Sequence, residues 1–146
     1  FYDGDMDDDR LAGRLRDFPG LSLVFLDACH SGGFVNDFRD GDNALVLTAA
    51  REDLSVSERI LTPILLQGGR GGADLDGDGI ITVGELAEYV DMILQRVCPF
   101  CDTVLEEGAS MLCPGCGETL KGENRIPRPE QGVFTDPGTV LWSVSE

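Results

Sequence analysis

The chain has little positive charge, a single histidine and no long apolar run. Its 11 lysine and arginine residues are outnumbered by 27 aspartate and glutamate residues, which gives a formal net charge of −16. Because a protein that holds the phosphate backbone of nucleic acid needs a basic surface, we predict no nucleic-acid partner. No apolar stretch approaches the roughly 20 residues of a membrane span and no signal peptide is visible, so no membrane partner is expected. The excess of acid favours the binding of cations and of basic partners.

Cysteine is scarce, but it follows a clear pattern. Four of the five cysteines form C-P-F-C-x11-C-P-G-C, and Cys29 is left over. Cys-x-x-Cys steps are poor disulfide spacers and good metal chelators, which indicates a reducing, cytoplasmic compartment. We predict a structural zinc ribbon over residues 98–120, in which four thiolates fill the coordination sphere: Cys98, Cys101, Cys113 and Cys116.

The predicted ribbon lacks the basic face of a nucleic-acid-binding zinc module. Residues from Arg96 to Pro129 hold four basic and five acidic side chains. Phosphate binding requires an excess of basic side chains, which this segment does not have. We therefore expect the ribbon to contact a protein or to form a lid beside a site elsewhere in the chain.

Apolar runs of strand length alternate with amphipathic stretches. The runs at residues 21–27 and 44–50 are apolar on both faces, which is typical of parallel strands covered by helices. Helices are predicted over residues 7–18, from a cap at Thr62-Pro63, and over residues 84–97, with a final strand near residues 140–142. The predicted fold class is α/β, with a mostly parallel sheet flanked by helices and the ribbon inserted near the end.

The acidic segment from Asp74 to Glu85 has the spacing of an EF-hand calcium loop. Acids occupy positions 1, 3 and 5, Gly79 supplies the sharp turn at position 6, and a glutamate closes the loop at position 12. The predicted calcium ligands are Asp74, Asp76, Asp78, the carbonyl of Ile80, Thr82 and Glu85. The preceding residues 68–72 are not expected to be helical, so the loop should have an exiting helix only and bind calcium weakly. The alternative is an acidic turn that holds no ion.

The first of the two apolar strands is followed directly by reactive side chains. Residues 21–26 lead into Asp27-Ala28-Cys29-His30-Ser31-Gly32-Gly33. In open α/β sheets ligands bind beyond the carboxyl ends of the strands, where this thiol is expected to lie. The paired glycines allow a sharp turn and a close approach to a substrate. The alternative is a buried cysteine that closes a core strand.

Leu-Asp-Ala-Cys-His-Ser-Gly-Gly resembles the nucleophile segment of the caspase-like cysteine peptidases, in their metacaspase and bacterial caspase-domain branch. The calcium loop extends the resemblance over residues 1–97, and residues 121–146 would be the return segment and final strand of the same domain. The resemblance implies a cysteine endopeptidase with Cys29 as nucleophile, Asp27 in a pocket that selects Arg or Lys, and His30 and Gly32 beside the substrate. Arg is expected above Lys if the pairing is bidentate. A loop cap is the alternative for Asp27.

The catalytic histidine is the missing part of this interpretation. His30, the only histidine of the chain, follows Cys29 directly. Adjacent side chains usually project in different directions, so His30 is a poor partner for the thiol. The resemblance places the dyad histidine in an upstream His-Gly motif, and since the chain begins at Phe1, we expect a longer precursor whose upstream segment supplies it. The alternatives are a catalytically inactive scaffold that binds proteins through its ribbon and a plain calcium sensor.

A second acidic segment, Asp7-Asp8-Asp9-Arg10-Leu11, resembles the metacaspase segment whose acids bind an activating calcium ion. Only Asp8 and Asp9 align with it, and Arg10 replaces the glutamate of the family. The alternative is that these acids stabilise the positive end of the first helix.

Overall fold

The computed structural model describes residues 8–39, 41–50, 60–98, 101, 103–105, 113–119 and 131–144. In chain order they form α1 (Asp8–Arg16), β1 (Ser22–Leu26), a 3₁₀ helix (Ser31–Asp37), β2 (Ala44–Thr48), α2 (Leu61–Gln67), a π-helical turn (Gly68–Gly72), β3 (Ile80–Thr82), α3 (Val83–Leu94), β4 (Gln131–Val133) and β5 (Val140–Ser143). The protein is of mixed α/β class, as its sequence predicts. Within these ranges no helix has the length and apolarity needed to cross a membrane.

The larger sheet has the order β1-β2-β4. β1 and β2 pair in parallel, with Ser22 opposite Ala44. β4 lies on the other side of β2 and pairs antiparallel, with Gly132 opposite Val46. The prediction of a mostly parallel sheet is therefore wrong for the described strands, because this sheet contains one pairing of each kind.

Helices cover both faces of β2, and all five of its residues are buried. On one face Val24 of β1 packs with Ala12 of α1 and with Phe34 of the 3₁₀ helix. On the other face Leu45 and Leu47 pack in a second cluster with residues of α2 and α3. Complete burial of a leucine side chain contributes about 1.5–3 kcal/mol relative to an exposed one. The burial of Leu45 and Leu47 therefore stabilises the packing of α2 and α3 on the sheet.

Two apolar segments are more exposed than their sequences predict. Leu23 and Phe25 of β1 are 40% and 39% exposed, so in the described part of the chain one face of this strand is not covered. Phe18, the last residue of the first predicted helix, follows the end of α1 and is 55% exposed. Burial on both faces is thus correct for β2 and wrong for β1.

A helix enters the acidic loop of residues 74–85 as well as leaving it. α2 continues directly into the π-helical turn Gly68–Gly72, and within this turn Gly71 alone departs from helical geometry, with φ 111°. The prediction of a loop with an exiting helix only is therefore wrong. α2 begins at Leu61, one residue before the predicted start, and it packs against α3. The result is a helix–loop–helix unit.

The predicted final strand belongs to a separate two-stranded sheet. β5 pairs antiparallel with β3, the short strand inside the acidic loop, with Trp142 opposite Ile81. The Val144 N–H donates to the Gly79 carbonyl at 2.7 Å, and the Trp142 indole N–H donates to the Gly69 carbonyl at 3.2 Å. This C-terminal strand therefore holds the loop and the π-helical turn together.

Candidate active site and metal centres

The segment after β1 presents Cys29 at the carboxyl end of the parallel pair. The carbonyl of Leu26, the last residue of β1, accepts a hydrogen bond of 3.0 Å from the Ala49 N–H, and the chain then leaves the sheet. Cys29 and His30 are both exposed. All five cysteines lie in the described part of the chain, and none is in a disulfide. Since Cys29 is exposed, the interpretation of this residue as a buried core cysteine is wrong.

The turn after Cys29 has a constrained backbone. His30 adopts the left-handed region with φ 58° and ψ 18°, which is uncommon for a residue other than glycine, and it begins the 3₁₀ helix. Ser31, Gly32 and Phe34 are buried in that helix. The structure therefore places His30 beside Cys29 on the surface, whereas Gly32 lies beneath the turn.

The Asp27 carboxylate caps the start of α2. Its Oδ1 accepts from the Leu61 N–H at 3.1 Å, and its Oδ2 accepts from the Thr62 N–H at 2.9 Å and the Thr62 hydroxyl at 2.6 Å. An acid at this position satisfies N–H groups that have no partner within the helix. Asp27 is therefore a cap, in agreement with the alternative interpretation. It caps the helix α2, which begins 34 residues later, and not its own loop. The residue remains half-buried, so its carboxylate is not closed off from solvent.

The four ribbon cysteines converge on one point. Their sulfur atoms all lie within 4.8 Å of one another. The Sγ atoms of Cys98 and Cys116 are 3.8 Å apart, and those of Cys101 and Cys113 are 3.5 Å apart. Four thiolates arranged tetrahedrally at about 2.3 Å from a zinc ion lie about 3.8 Å from one another. The cluster thus fits a four-coordinate metal such as zinc, and the prediction that these residues come together is confirmed.

Short hairpins hold the thiols in place. Cys98 N–H donates to the Thr103 carbonyl at 3.0 Å, and Cys113 N–H donates to the Glu118 carbonyl at 2.8 Å. The Gly115 N–H points at the Cys113 sulfur from 3.4 Å. Cys98 and Cys113 are buried, whereas Cys101 and Cys116 are exposed.

The close packing of the four thiols lowers the pKa of some of them and raises the pKa of another. Burial raises the pKa of Cys113, but the N–H groups of Cys116 and Gly115 and the neighbouring thiols outweigh it and bring the pKa down to about 6. The N–H of Glu118 lowers the pKa of Cys116, but burial and the other three thiols together raise it to about 12. Four negative charges within this distance repel one another, so full ionisation of the cluster requires a cation.

The acidic loop of residues 74–85 is folded around the side chain of its first residue. Gly77 and Gly79 adopt positive φ values of 77° and 82°. The carboxylate of Asp74 accepts from the N–H groups of Gly77 at 2.9 Å and Gly79 at 3.0 Å, so the chain wraps around this side chain. Ligand oxygens of the three aspartates Asp74, Asp76 and Asp78 lie within 4.8 Å of one another. These oxygens are hard donors of the type that calcium prefers.

Glu85 faces back toward the start of the loop. Its Oε1 accepts from the Leu75 N–H at 3.1 Å, and its Oε2 accepts from the Thr82 N–H and hydroxyl, each at 2.9 Å. The Thr82 hydroxyl accepts from the Glu85 N–H in return, which forms a capping box at the start of α3. The Thr82 N–H and hydroxyl, aided by further backbone donors and opposed by burial, lower the pKa of Glu85. This carboxylate is therefore ionised and oriented toward the loop at neutral pH.

The fold brings together three aspartates whose proximity the sequence did not predict: Asp8, Asp9 and Asp37. Burial raises the pKa of the Asp37 carboxyl, and the negative charges of Asp8 and Asp9 raise it further, against the opposing charge of Arg16. Asp8 and Asp9 occupy the first turn of α1, whereas Asp37 ends the 3₁₀ helix that follows Cys29 and His30. Their proximity depends on the packing of α1 on that helix, which residue spacing does not encode.

An open cleft lies away from the site around Cys29. It has a volume of about 420 Å³ and is lined by Gly41, Asn43, Val133, Phe134, Thr135 and Asp136. These residues lie where β2 begins, while Cys29 lies near the ends of β1 and β2. The cleft is therefore separate from the site around Cys29.

The described residues thus contain three groups of side chains that could react or bind a ligand. They are Asp27 with Cys29, the four ribbon cysteines and the acidic loop. No protein family, curated protein or solved structure matches this chain. Its function therefore has to follow from the geometry of these groups and from the likeness of its nucleophile segment.

Proposed function

We propose that this chain is the nucleophile-bearing part of a caspase-like cysteine endopeptidase that cleaves after lysine or arginine. The observation that carries the proposal is an exposed cysteine at the carboxyl end of a parallel strand, two residues after the half-buried Asp27. Ligands of open α/β sheets bind at this end of the strands. The carboxylate would attract the basic side chain before the scissile bond, since opposite charges interact strongly at low effective dielectric.

The proposed reaction divides the work between this chain and an upstream segment of the same precursor. The Cys29 thiolate attacks the scissile carbonyl carbon, and the C–N bond breaks as a histidine protonates the leaving amine. Water then hydrolyses the thioester. The Cys29 N–H is proposed to donate to the oxyanion. The histidine is assigned to the upstream segment because His30 follows the nucleophile directly.

A panel of covalent probes tests the proposal. In the intact precursor, an acyloxymethyl ketone with arginine or lysine at the recognition position is expected to alkylate Cys29, because the thiolate displaces the carboxylate of the probe and forms a thioether. The modified peptide is identified by mass mapping. The matched aspartate probe should react at least about tenfold more slowly, because its charge repels Asp27. Preference for the aspartate probe would contradict the proposed specificity.

The second candidate function is a non-catalytic scaffold with the ribbon as its protein-binding surface. It is favoured by one observation, namely that the only histidine is adjacent to the thiol and begins the 3₁₀ helix. The same probe panel separates the two functions. Absence of labelling at Cys29 by every probe, while a small alkylating reagent still reacts there, would support the scaffold.

We further propose that the four-cysteine cluster holds a structural zinc ion and that the acidic loop holds calcium. All four coordination positions at the zinc would be filled by protein thiolates, which leaves none for a substrate. Calcium would neutralise the three loop aspartates and take Glu85 as its last ligand. Both ions therefore support the fold around the site rather than take part in the peptide hydrolysis.

Calcium binding is expected to show as heat in titration calorimetry, with a dissociation constant of about 10⁻⁴ M for an unpaired loop. Asp76→Ala should abolish this heat, because it removes a ligand at position 3. Glu88→Ala is the matched control, since Glu88 is an exposed acid of α3 outside the loop. The single tryptophan, Trp142, lies opposite Ile81 and provides a fluorescence signal for the same titration. Equal heats for wild type and Asp76→Ala would exclude the loop as the calcium site.

A further inference from the structure

The Asp27 carboxylate has little remaining capacity to accept hydrogen bonds. An ionised carboxylate offers about four lone-pair sites, two on each oxygen. Thr62 fills both sites on Oδ2 through its N–H at 2.9 Å and its hydroxyl at 2.6 Å. The Leu61 N–H fills one site on Oδ1 at 3.1 Å. Among the described residues these are the partners of Asp27, so one site is left, and it lies on Oδ1.

We propose that Thr62 determines the substrate specificity of this site by blocking bidentate recognition of arginine. The inference rests on the proposed function, in which Asp27 holds the basic side chain of the substrate. A guanidinium prefers to donate two parallel hydrogen bonds, one to each carboxylate oxygen, whereas an ammonium needs only one acceptor. With Oδ2 saturated by Thr62, both side chains are limited to a single bond with Oδ1. The enzyme therefore accepts lysine and arginine with similar efficiency, which differs from the preference for arginine that a bidentate pairing would give.

The side chain of Thr62 is suited to this function because it adds a bond that the backbone alone does not. Every residue except proline at this position supplies the N–H, but only a serine or threonine side chain supplies a β-hydroxyl donor. The residue is exposed in the first turn of α2, and its replacement leaves the buried residues of that helix, Leu61 and Ile64, in place. Thr62→Val keeps the branched shape and removes the hydroxyl, whereas Thr62→Ser keeps the hydroxyl and removes the methyl group.

The test compares hydrolysis of matched arginine and lysine substrates by the intact precursor. For wild type and Thr62→Ser we expect values of kcat/KM for the two substrates that agree within about tenfold. For Thr62→Val the ratio should shift toward arginine by about tenfold, since a hydrogen bond between charged groups is restored on Oδ2. The shift should appear in KM with kcat nearly unchanged, because the side-chain contact exists in both the ground state and the transition state.

The possible failures are distinguishable. A wild-type preference for arginine above about a hundredfold would overturn the inference without any variant, as would equal ratios in Thr62→Val and Thr62→Ser. A parallel fall in kcat for both substrates would show that Thr62 is only structural, which also overturns it. Absence of hydrolysis of both substrates by wild type would instead refute the proposed function on which the inference rests.

Discussion

Replacing Cys29 by alanine is expected to abolish peptide hydrolysis by the intact precursor, with a fall in kcat/KM of about 10⁴-fold or more. In the proposed reaction the covalent intermediate forms on the sulfur of Cys29, so no other side chain can substitute for it. Because Cys29 is exposed, the change removes little packing, and the melting temperature should move by less than about 2 °C. Initial rates on an arginine substrate together with a thermal melt provide both measurements.

Cys29→Ser is the informative control for this prediction. It keeps the size and the hydrogen-bonding capacity of the side chain but replaces the thiol by a hydroxyl that is far less acidic. We expect it to be as inactive as the alanine variant and to bind the substrate normally. Residual hydrolysis above one tenth of wild type in either variant would assign the activity to another group or to a contaminant.

Local sequence patterns predicted two secondary-structure elements and two clusters of side chains. β2 is buried along its whole length, as the run from Ala44 predicts, because it lies between two helical layers. α3 begins at Val83, one residue before its predicted start, and it ends at Leu94, a few residues before its predicted end. The four cysteines and the loop aspartates also come together as their spacing predicts.

Features that depend on distant segments were not predictable from local patterns. A run of four glycines and one arginine favours a loop, yet these residues form a π-helical turn to which Trp142, 73 residues after Gly69, donates a hydrogen bond. Pairing direction is likewise a tertiary property, so the antiparallel position of β4 has no local signal. Thr62, the partner of Asp27, lies beyond the segment that separates β2 from α2. Only the fold therefore shows that Thr62 saturates one oxygen of the Asp27 carboxylate.

The described elements connect the three groups of functional side chains in sequence. Asp27 caps α2, and α2 with its π-helical turn leads to Asp74 at the start of the acidic loop. α3 starts at the end of that loop and leads to Cys98, which is buried beside Val97. The four-cysteine cluster is therefore attached at the end of a core helix, and its loss should affect the ribbon far more than the sheet.

Cys113→Ser is expected to lower the zinc content of the purified protein from about one ion per chain to below about 0.1, because three thiolates leave the tetrahedral site incomplete. Structural zinc contributes about 10–16 kcal/mol of folding free energy in zinc-finger peptides. This exceeds the free energy that the few described residues of this ribbon can gain by burying apolar surface. The ribbon should therefore lose its structure, while β2 and α3 keep theirs. Elemental analysis and amide hydrogen exchange measure the two effects.

The matched control for the zinc prediction is Cys29→Ser, which removes an exposed thiol outside the cluster and should leave the zinc content at about one ion per chain. A chelator added to wild-type protein should reproduce the exchange pattern of Cys113→Ser, because metal loss and ligand loss remove the same constraint. The core residues Leu45 and Leu47 should remain protected in all three samples, since they lie in a cluster that does not contain the ribbon cysteines. Equal zinc contents in Cys113→Ser and Cys29→Ser would exclude the four-cysteine cluster as the metal site.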